Sequence, residues 1–373
     1  MALTYLQESQ IDSSSNGFMR NRIINGEMRI DQRYVGAAVT IPAATSTYTI
    51  DRWIAYGTAA SKFTCQQTPS ATETGYATRV GAGFTNYLAM VSAAATTPAA
   101  TDIYFVGQKI EGFNIADLAW GSASAKTVTL SFWVNSSVAG TYGGSLLNTA
   151  GSRSYVFSYT INSTNTWEQK TITISGDTTG TWVVNNGIGI QLYFDMGTGT
   201  TYKGTAGSWS GSLYYGATGG TNLIATSGAT FYITGVQLEA GSVATPFERR
   251  MYSTELSLCQ RYYQKTYGQS FAPGAATTLN LVGFPICGNT GTDYTSLSFI
   301  LPMRAAPSSI SLWDGNGNAN AFSRYIAGAW SHNTTSAITS ANIGENGFSL
   351  SYTGTPFTMG TPYSVHYAAS AEL

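Results

Sequence analysis

Apolar residues recur at every second position through most of the chain, the period of a strand with one buried face. Val128, Leu130, Phe132 and Val134 share one face, with Thr127, Thr129 and Ser131 on the other. The same alternation returns at Ile172 and Ile174, and at Ile188, Ile190, Leu192 and Phe194. Polar, glycine-rich breaks at 136–140 and 175–180 separate these runs, as turns between antiparallel strands do. Around Gly235 the alternation slips phase, from Phe231 and Ile233 to Val236 and Leu238, which predicts a bulged strand. Residues 21–245 therefore read as one antiparallel β-sandwich, and the lack of long apolar helices argues against an α/β enzyme fold.

The period changes once. Tyr252, Leu256, Cys259 and Tyr263 are spaced four, three and four, and Met251, Leu258 and Tyr262 widen the stripe into a helical face. Thr245, Pro246 and Glu248 have the residue types of a capping box with proline at the first helical position, and Ser253 is a rival N-cap. The spacing predicts a helical connector over 246–267. Its apolar face must pack on the chain's own sandwich or on a threefold axis shared with sister chains. Tyr252, Leu256, Cys259 and Tyr263 are thus candidate interface residues.

Alternation then resumes at Leu297, Phe299, Leu301 and Met303, at Phe348, Leu350 and Tyr352, and at Val365 and Tyr367, predicting a second, smaller β domain over 268–373. The fold class expected is all-β: a β-sandwich, a short helix and a smaller β-sandwich. Residues 1–20 end in the polar run 12–17 and read as a flexible arm. No repeat of 20–50 residues supports a propeller or β-helix.

Charged residues make up only 10% of the 373, while glycine (41) and aromatics (13%) are plentiful, which suits β-sheets with uncharged polar surfaces. A net charge of −1 without a Lys/Arg run excludes the electrostatic footprint of a nucleic-acid or anionic-membrane binder. Cys65, Cys259 and Cys287 lack metal or redox spacing, and their odd number argues against a disulfide framework. The first residues lack the basic and apolar regions of a secretory leader, and no 18 apolar residues run together, so a chain without a secretory address is expected.

Catalytic chemistry finds little material. The two histidines, His332 and His366, are too few for a histidine metal cage and leave a serine triad little choice of base. Asp314-Gly315-Asn316-Gly317-Asn318 spaces oxygen ligands like a calcium loop, yet its sixth position is Ala319 and its twelfth Tyr325, so a plain turn is expected. Glu168, Asp195, Asp293 and Glu345 stand without a motif that would pair them as glycosidase carboxylates. Aromatics in polar loops are more telling, because sugar rings stack their C–H faces on Trp and Tyr. The candidate glycan contacts are Trp209, Tyr214 and Tyr215 in one glycine-rich loop, and Tyr325, Trp330, His332 and Asn333 near the C-terminus.

Gln237-Leu238-Glu239-Ala240-Gly241, Thr245-Pro246-Phe247-Glu248-Arg249-Arg250 and Cys259-Gln260-Arg261-Tyr262-Tyr263 resemble a segment recurring in bacteriophage tail-fibre and related virion proteins. The opening Asn21-Arg22-Ile23-Ile24-Asn25-Gly26, with Ile50-Asp51-Arg52-Trp53, looks like the start of the same module. The resemblance implies a carbohydrate-binding-module-like jelly roll for the first sandwich and a tip domain after it. It further implies a virion appendage, commonly a homotrimer, attached to other virion proteins through its N-terminal arm. No cofactor is expected, although jelly rolls of the resembled type often hold a structural calcium on backbone carbonyls, which leaves calcium open. The function expected is that of a tail fibre or receptor-binding protein adhering to host-surface glycan without catalysis. A head-decoration or fibre-anchor protein and a polysaccharide depolymerase are the alternatives.

Overall fold

In a computed structural model the structure describes residues 19–69, 83–284, 292–333, 338–353 and 361–373. The arm expected at 1–20, but for its last two residues, lies outside them, as does Cys287. Two compact units emerge, the first comprising residues up to Arg29, Ala38–Thr49 and Trp53–Arg250, the second Ile30–Ala37, Ile50–Arg52 and Met251–Leu373. The second unit thus takes two short pieces, 30–37 and 50–52, from the stretch the sequence assigns to the first sandwich.

The first unit is a β-sandwich of a six-stranded and a seven-stranded sheet. Val128–Ser136 sits between Thr230–Ala240 and Glu168–Ile174 in the six-stranded sheet, and Ile188–Asp195 sits between Gly140–Leu147 and Tyr104–Glu111 in the seven-stranded one, all antiparallel. The predicted inward faces are buried at Val128, Leu130, Phe132 and Val134 and at Ile190, Leu192 and Phe194. Val128–Ser136 is not the half-buried strand expected, however: as a central strand it buries Thr129 and Ser131 as well, and Ile188 stays half-buried beside a register shift. Phe132 meets Phe194 edge-on at 5.0 Å and Tyr159 at 5.0 Å, contacts that help join the sheets into one core. The predicted bulge lies where the pairing of Thr230–Ala240 with Val128–Ser136 shifts register, between Thr234 and Gln237. Gly235 there adopts φ +61°, and a Cβ on it would come within 2.4 Å of the Phe84 ring.

The segment 245–250 does not start a helix. Thr245 bonds the Glu239 carboxylate through both its amide and its hydroxyl, and the Glu248 carboxylate accepts the amides of Met19 and Asn21 at 2.7 Å each. Their side chains are therefore occupied by strand and N-terminal partners, and the capping box does not form. Residues 246–250 run as a strap outside helix and strand, and Arg250 donates to the carbonyls of Asn21 and Ile23. Asn21, a member of the opening motif, accepts from Ile23 and Leu238, while Gln108 exchanges two hydrogen bonds with Ile24.

The second unit is a smaller sandwich organised on Tyr363–Ser370. That strand pairs with Tyr263–Lys265, Val282–Phe284, Ser309–Trp313 and Phe322–Ile326, opposite a three-stranded sheet of Thr292–Ser298, Gly347–Thr353 and Ile338–Ala341. Leu297, Phe348 and Leu350 from the smaller sheet share a core with Leu312, Phe322, Val365 and Tyr367.

Its helix is Tyr252–Gln260, shorter than the predicted 246–267, and Met251 caps it without a side-chain bond. It ends because Tyr263–Lys265 pairs as a strand with Ser370, Ala369 and Ala368. Cys259 is fully buried, and Tyr263 lies beneath the Arg33 guanidinium, 3.7 Å from its ring centre. Neither can face a sister chain, so of the four interface candidates only Tyr252 and Leu256 keep exposed surface. The buried helix face instead carries Glu255, Cys259 and Gln260.

Candidate glycan-binding surface

Phe322–Ile326 and Ala329–Asn333 form a hairpin closed by Ala327 and Gly328, both at positive φ, the two-residue turn whose twist matches that of its strands. The strand leaves the core as it nears this turn: Phe322 and Ser323 are buried, whereas Tyr325 and Ile326 are each 44% exposed. Trp330 stands opposite Tyr325 in the register and is 38% exposed. Their rings meet edge-to-face at 5.2 Å and 67°. The Tyr325 hydroxyl donates to the Gly328 carbonyl at 3.0 Å and fixes its ring, while Trp330 Nε1 has no partner among the described residues. Of the eight tryptophans, Trp330 alone is exposed to this degree.

His332 is on the same strand but turns inward. Its Nδ1 lies 3.0 Å from Ser323 Oγ and 3.9 Å from Asp314 Oδ2, so the ring serves the fold and not the platform. Asn333 ends the strand opposite Phe322, and its side chain is outside the described set. Asp314 accepts from the amides of Asn316 and Asn318 and from Asn318 Nδ2, which makes the calcium-like sequence a plain Asx turn. His366 is buried between Thr266 Oγ1 at 2.9 Å and the Thr277 carbonyl at 3.0 Å, and burial lowers its pKa.

In the first unit the loop candidates are anchors. Trp209 donates its indole N–H to the Ser175 carbonyl at 2.7 Å and packs edge-on against Trp120 (5.3 Å), Trp182 (5.4 Å) and Tyr155 (5.4 Å). Tyr215 stacks on Phe105 at 5.5 Å and 9°, and Phe105 stacks in turn on Tyr56 at 5.4 Å. Tyr193 joins them 4.0 Å from Phe105. Tyr214 lies against Gly204. Tyr56, Phe105 and Tyr193 were not singled out from the sequence, yet a signal existed. Phe105 and Tyr193 are aromatic at positions out of phase with the core residues Tyr104, Val106, Leu192 and Phe194.

Glu168 is tied to Lys170 at 2.6 Å and to the amides of Asn162 and Ser163. Buried Asp195 accepts from the amides of Gly197 and Thr198, and burial raises its pKa. Glu345 is exposed, and the Asp293 side chain lies outside the described set. Among the described residues no group of three or more His, Cys, Asp and Glu could hold a metal ion. No helix there is long and apolar enough to cross a membrane.

No protein-family model matches the chain, and no curated protein does. Solved structures similar to it include the enzymatically active domain of tailspike protein 4 of bacteriophage CBA120, at 11% identity and TM-score 0.30, covering 60% of this chain and 22% of that one. Another is the family 11 carbohydrate-binding module of Clostridium thermocellum in complex with a β-1,3-1,4-mixed-linked tetrasaccharide, at 12% identity and TM-score 0.26, over 56% of this chain and 98% of that one. A third is the N-terminal cellulose-binding domain of Cellulomonas fimi β-1,4-glucanase C, at 13% identity and TM-score 0.24, over 43% and 82%.

Proposed function

We propose that this protein is a non-catalytic glycan-binding component of a bacteriophage particle, a tail fibre or receptor-binding protein that holds host-surface saccharide on the Tyr325–Trp330 pair. The observation that carries this reading is the exposure of two touching aromatic rings at the tip of a hairpin, one whose indole N–H has no partner among the described residues. Leaving the exposed part of such rings in water forgoes on the order of 1 kcal/mol of burial for each. A sugar face laid on Trp330 recovers part of that, and the free N–H is a donor for a hydroxyl. One such contact is worth on the order of 1 kcal/mol, so useful adhesion needs several copies, which a homotrimer provides.

The virion assignment is supported by the motifs shared with tail-fibre proteins, and the arm 1–20 is its attachment segment. Absence of catalysis is supported by the engagement of Glu168 and Asp195 in local hydrogen bonds and of both histidines in the fold. The test is adhesion of the full chain to host cells and to an array of bacterial surface polysaccharides, comparing the parent with Trp330→Ala and Tyr325→Ala. Each variant should bind at least about fivefold more weakly, the equivalent of about 1 kcal/mol. Undiminished adhesion, or release of reducing sugar from the array, would refute the proposal. A decoration protein would bind only its own particle.

A further inference from the structure

The outer face of the six-stranded sheet carries a second aromatic site. Because Phe132 and Val134 point into the core, Trp133 between them points outward, and Gln169 lies directly opposite it on the neighbouring strand. The bulge at Gly235 seats Phe84, whose ring meets Phe247 of the strap edge-on at 5.1 Å and 77°. Pro246 and Arg249 complete the wall of a cleft of about 260 Å³. That is just below the roughly 300–1,000 Å³ of pockets for drug-sized ligands, a size suited to one sugar ring.

Its polar groups are of two kinds. The Trp133 indole N–H and the Gln169 amide have no partner among the described residues. Arg249 stands with its guanidinium 4.7 Å from the Phe84 ring centre and 5.8 Å from that of Phe247. It donates to Glu27 at 3.0 Å and keeps 44% of its side chain exposed. Glu27 also pairs with Arg29 at 2.9 Å.

We infer that this cleft is a separate binding site for a monosaccharide unit bearing a carboxylate, such as a uronate at a chain end or branch. The C–H face of the ring lies on Trp133 and Phe247, the hydroxyls meet the Gln169 amide and the Trp133 N–H, and Arg249 takes the carboxylate in a charge-assisted hydrogen bond. The site shares no residue with the Tyr325–Trp330 platform and does not depend on it.

The experiment uses the full chain with methyl β-D-glucuronide and methyl β-D-glucoside, followed by saturation-transfer NMR and calorimetric titration. The glucuronide should bind about tenfold more tightly than the glucoside, the effect of one added charge-assisted contact of about 1.4 kcal/mol. Arg249→Gln should erase that preference while weak binding of both sugars remains. Trp133→Ala should abolish both, and Tyr325→Ala should change neither. Should Trp133→Ala fail to fold, Gln169→Ala, on an exposed strand position, decides the matter by weakening both sugars severalfold. Failure of the parent to bind either sugar, equal affinity for the two, or full binding by Gln169→Ala overturns the inference, whatever the hairpin variants do to cell adhesion.

Discussion

Arg33 donates to Glu372 at 2.9 Å, joining residues 339 positions apart within the second unit. The other oxygen of the same carboxylate receives Arg52, which is almost wholly buried beneath the Tyr262 ring, and Arg304 holds the carbonyls of Ala371 and Glu372. One side chain near the C-terminus therefore balances two guanidinium groups. Removing the carboxylate takes from both buried guanidinium groups a charged partner, a loss that reaches about 3–5 kcal/mol for buried pairs. Glu372→Gln should lower the stability of the second unit by about that amount in calorimetric unfolding. A variant melting like the parent would show that water reaches Arg52.

Asp51 belongs to the same cluster, accepting Gln32 N at 2.6 Å and Gln32 Nε2 at 2.8 Å. Burial pushes its pKa up to about 6, despite Arg33 and the Gln32 bonds pulling it down. Between about pH 4 and pH 6 the folded form therefore holds a proton that the unfolded chain, titrating near about 3.9, has released. The sign follows: this group favours the fold below about pH 4 and loses that contribution as pH rises through 6, up to roughly 3 kcal/mol. In urea titrations the stability of the parent relative to Asp51→Asn should rise as pH falls from about 7 to about 4. A difference that shrinks over that range contradicts the assignment.

The strands were legible because a buried face imposes a period of two whatever the partner strand, and the bulge at Gly235 because an extra residue must shift that phase. The helix start was not. Glu248 and Thr245 have capping side chains, but their partners at 19–21 and 239 are set by tertiary structure, which outweighs a capping contribution of about 1 kcal/mol. The motifs at 31–33, 51–52 and 262–263 were recognisable as words, but not as one ionic cluster, since its fourth member is Glu372. For the site, loop composition flagged Trp209 and Trp330 alike. Only packing separates a ring whose N–H is bonded from one whose N–H is free.

Cys65 and Cys259 are buried free thiols, and burial raises the pKa of each above the ordinary range. A thiol held protonated and out of solvent does not attack alkylating agents. Peptide mapping after iodoacetamide treatment of the native protein should find both unmodified, and both modified in 6 M guanidinium. Rapid labelling of Cys259 under native conditions would mean that the helix Tyr252–Gln260 opens readily or is docked differently.

Trp209 and Trp330 should respond in opposite ways to the same substitution. Trp209 contributes its indole N–H to the Ser175 carbonyl and its ring edges to Trp120, Trp182 and Tyr155, with Arg153 paired to Asp177 beside them at 2.6 Å. Trp209→Ala opens a cavity in that cluster and leaves the Ser175 carbonyl without its donor. The loss should fall near the lower end of the about 3–5 kcal/mol seen for large aromatic truncations, because the ring is only part-buried. Trp330 is exposed and its N–H has no partner among the described residues, so Trp330→Ala should stay within about 0.5–1 kcal/mol of the parent, the span of lost edge contact with Tyr325. Thermal unfolding with parallel cell-adhesion measurements separates the two effects. Trp209→Ala should melt early yet still adhere when folded, and Trp330→Ala should melt normally and adhere poorly. Reversal of that pattern would move the glycan platform to the first unit.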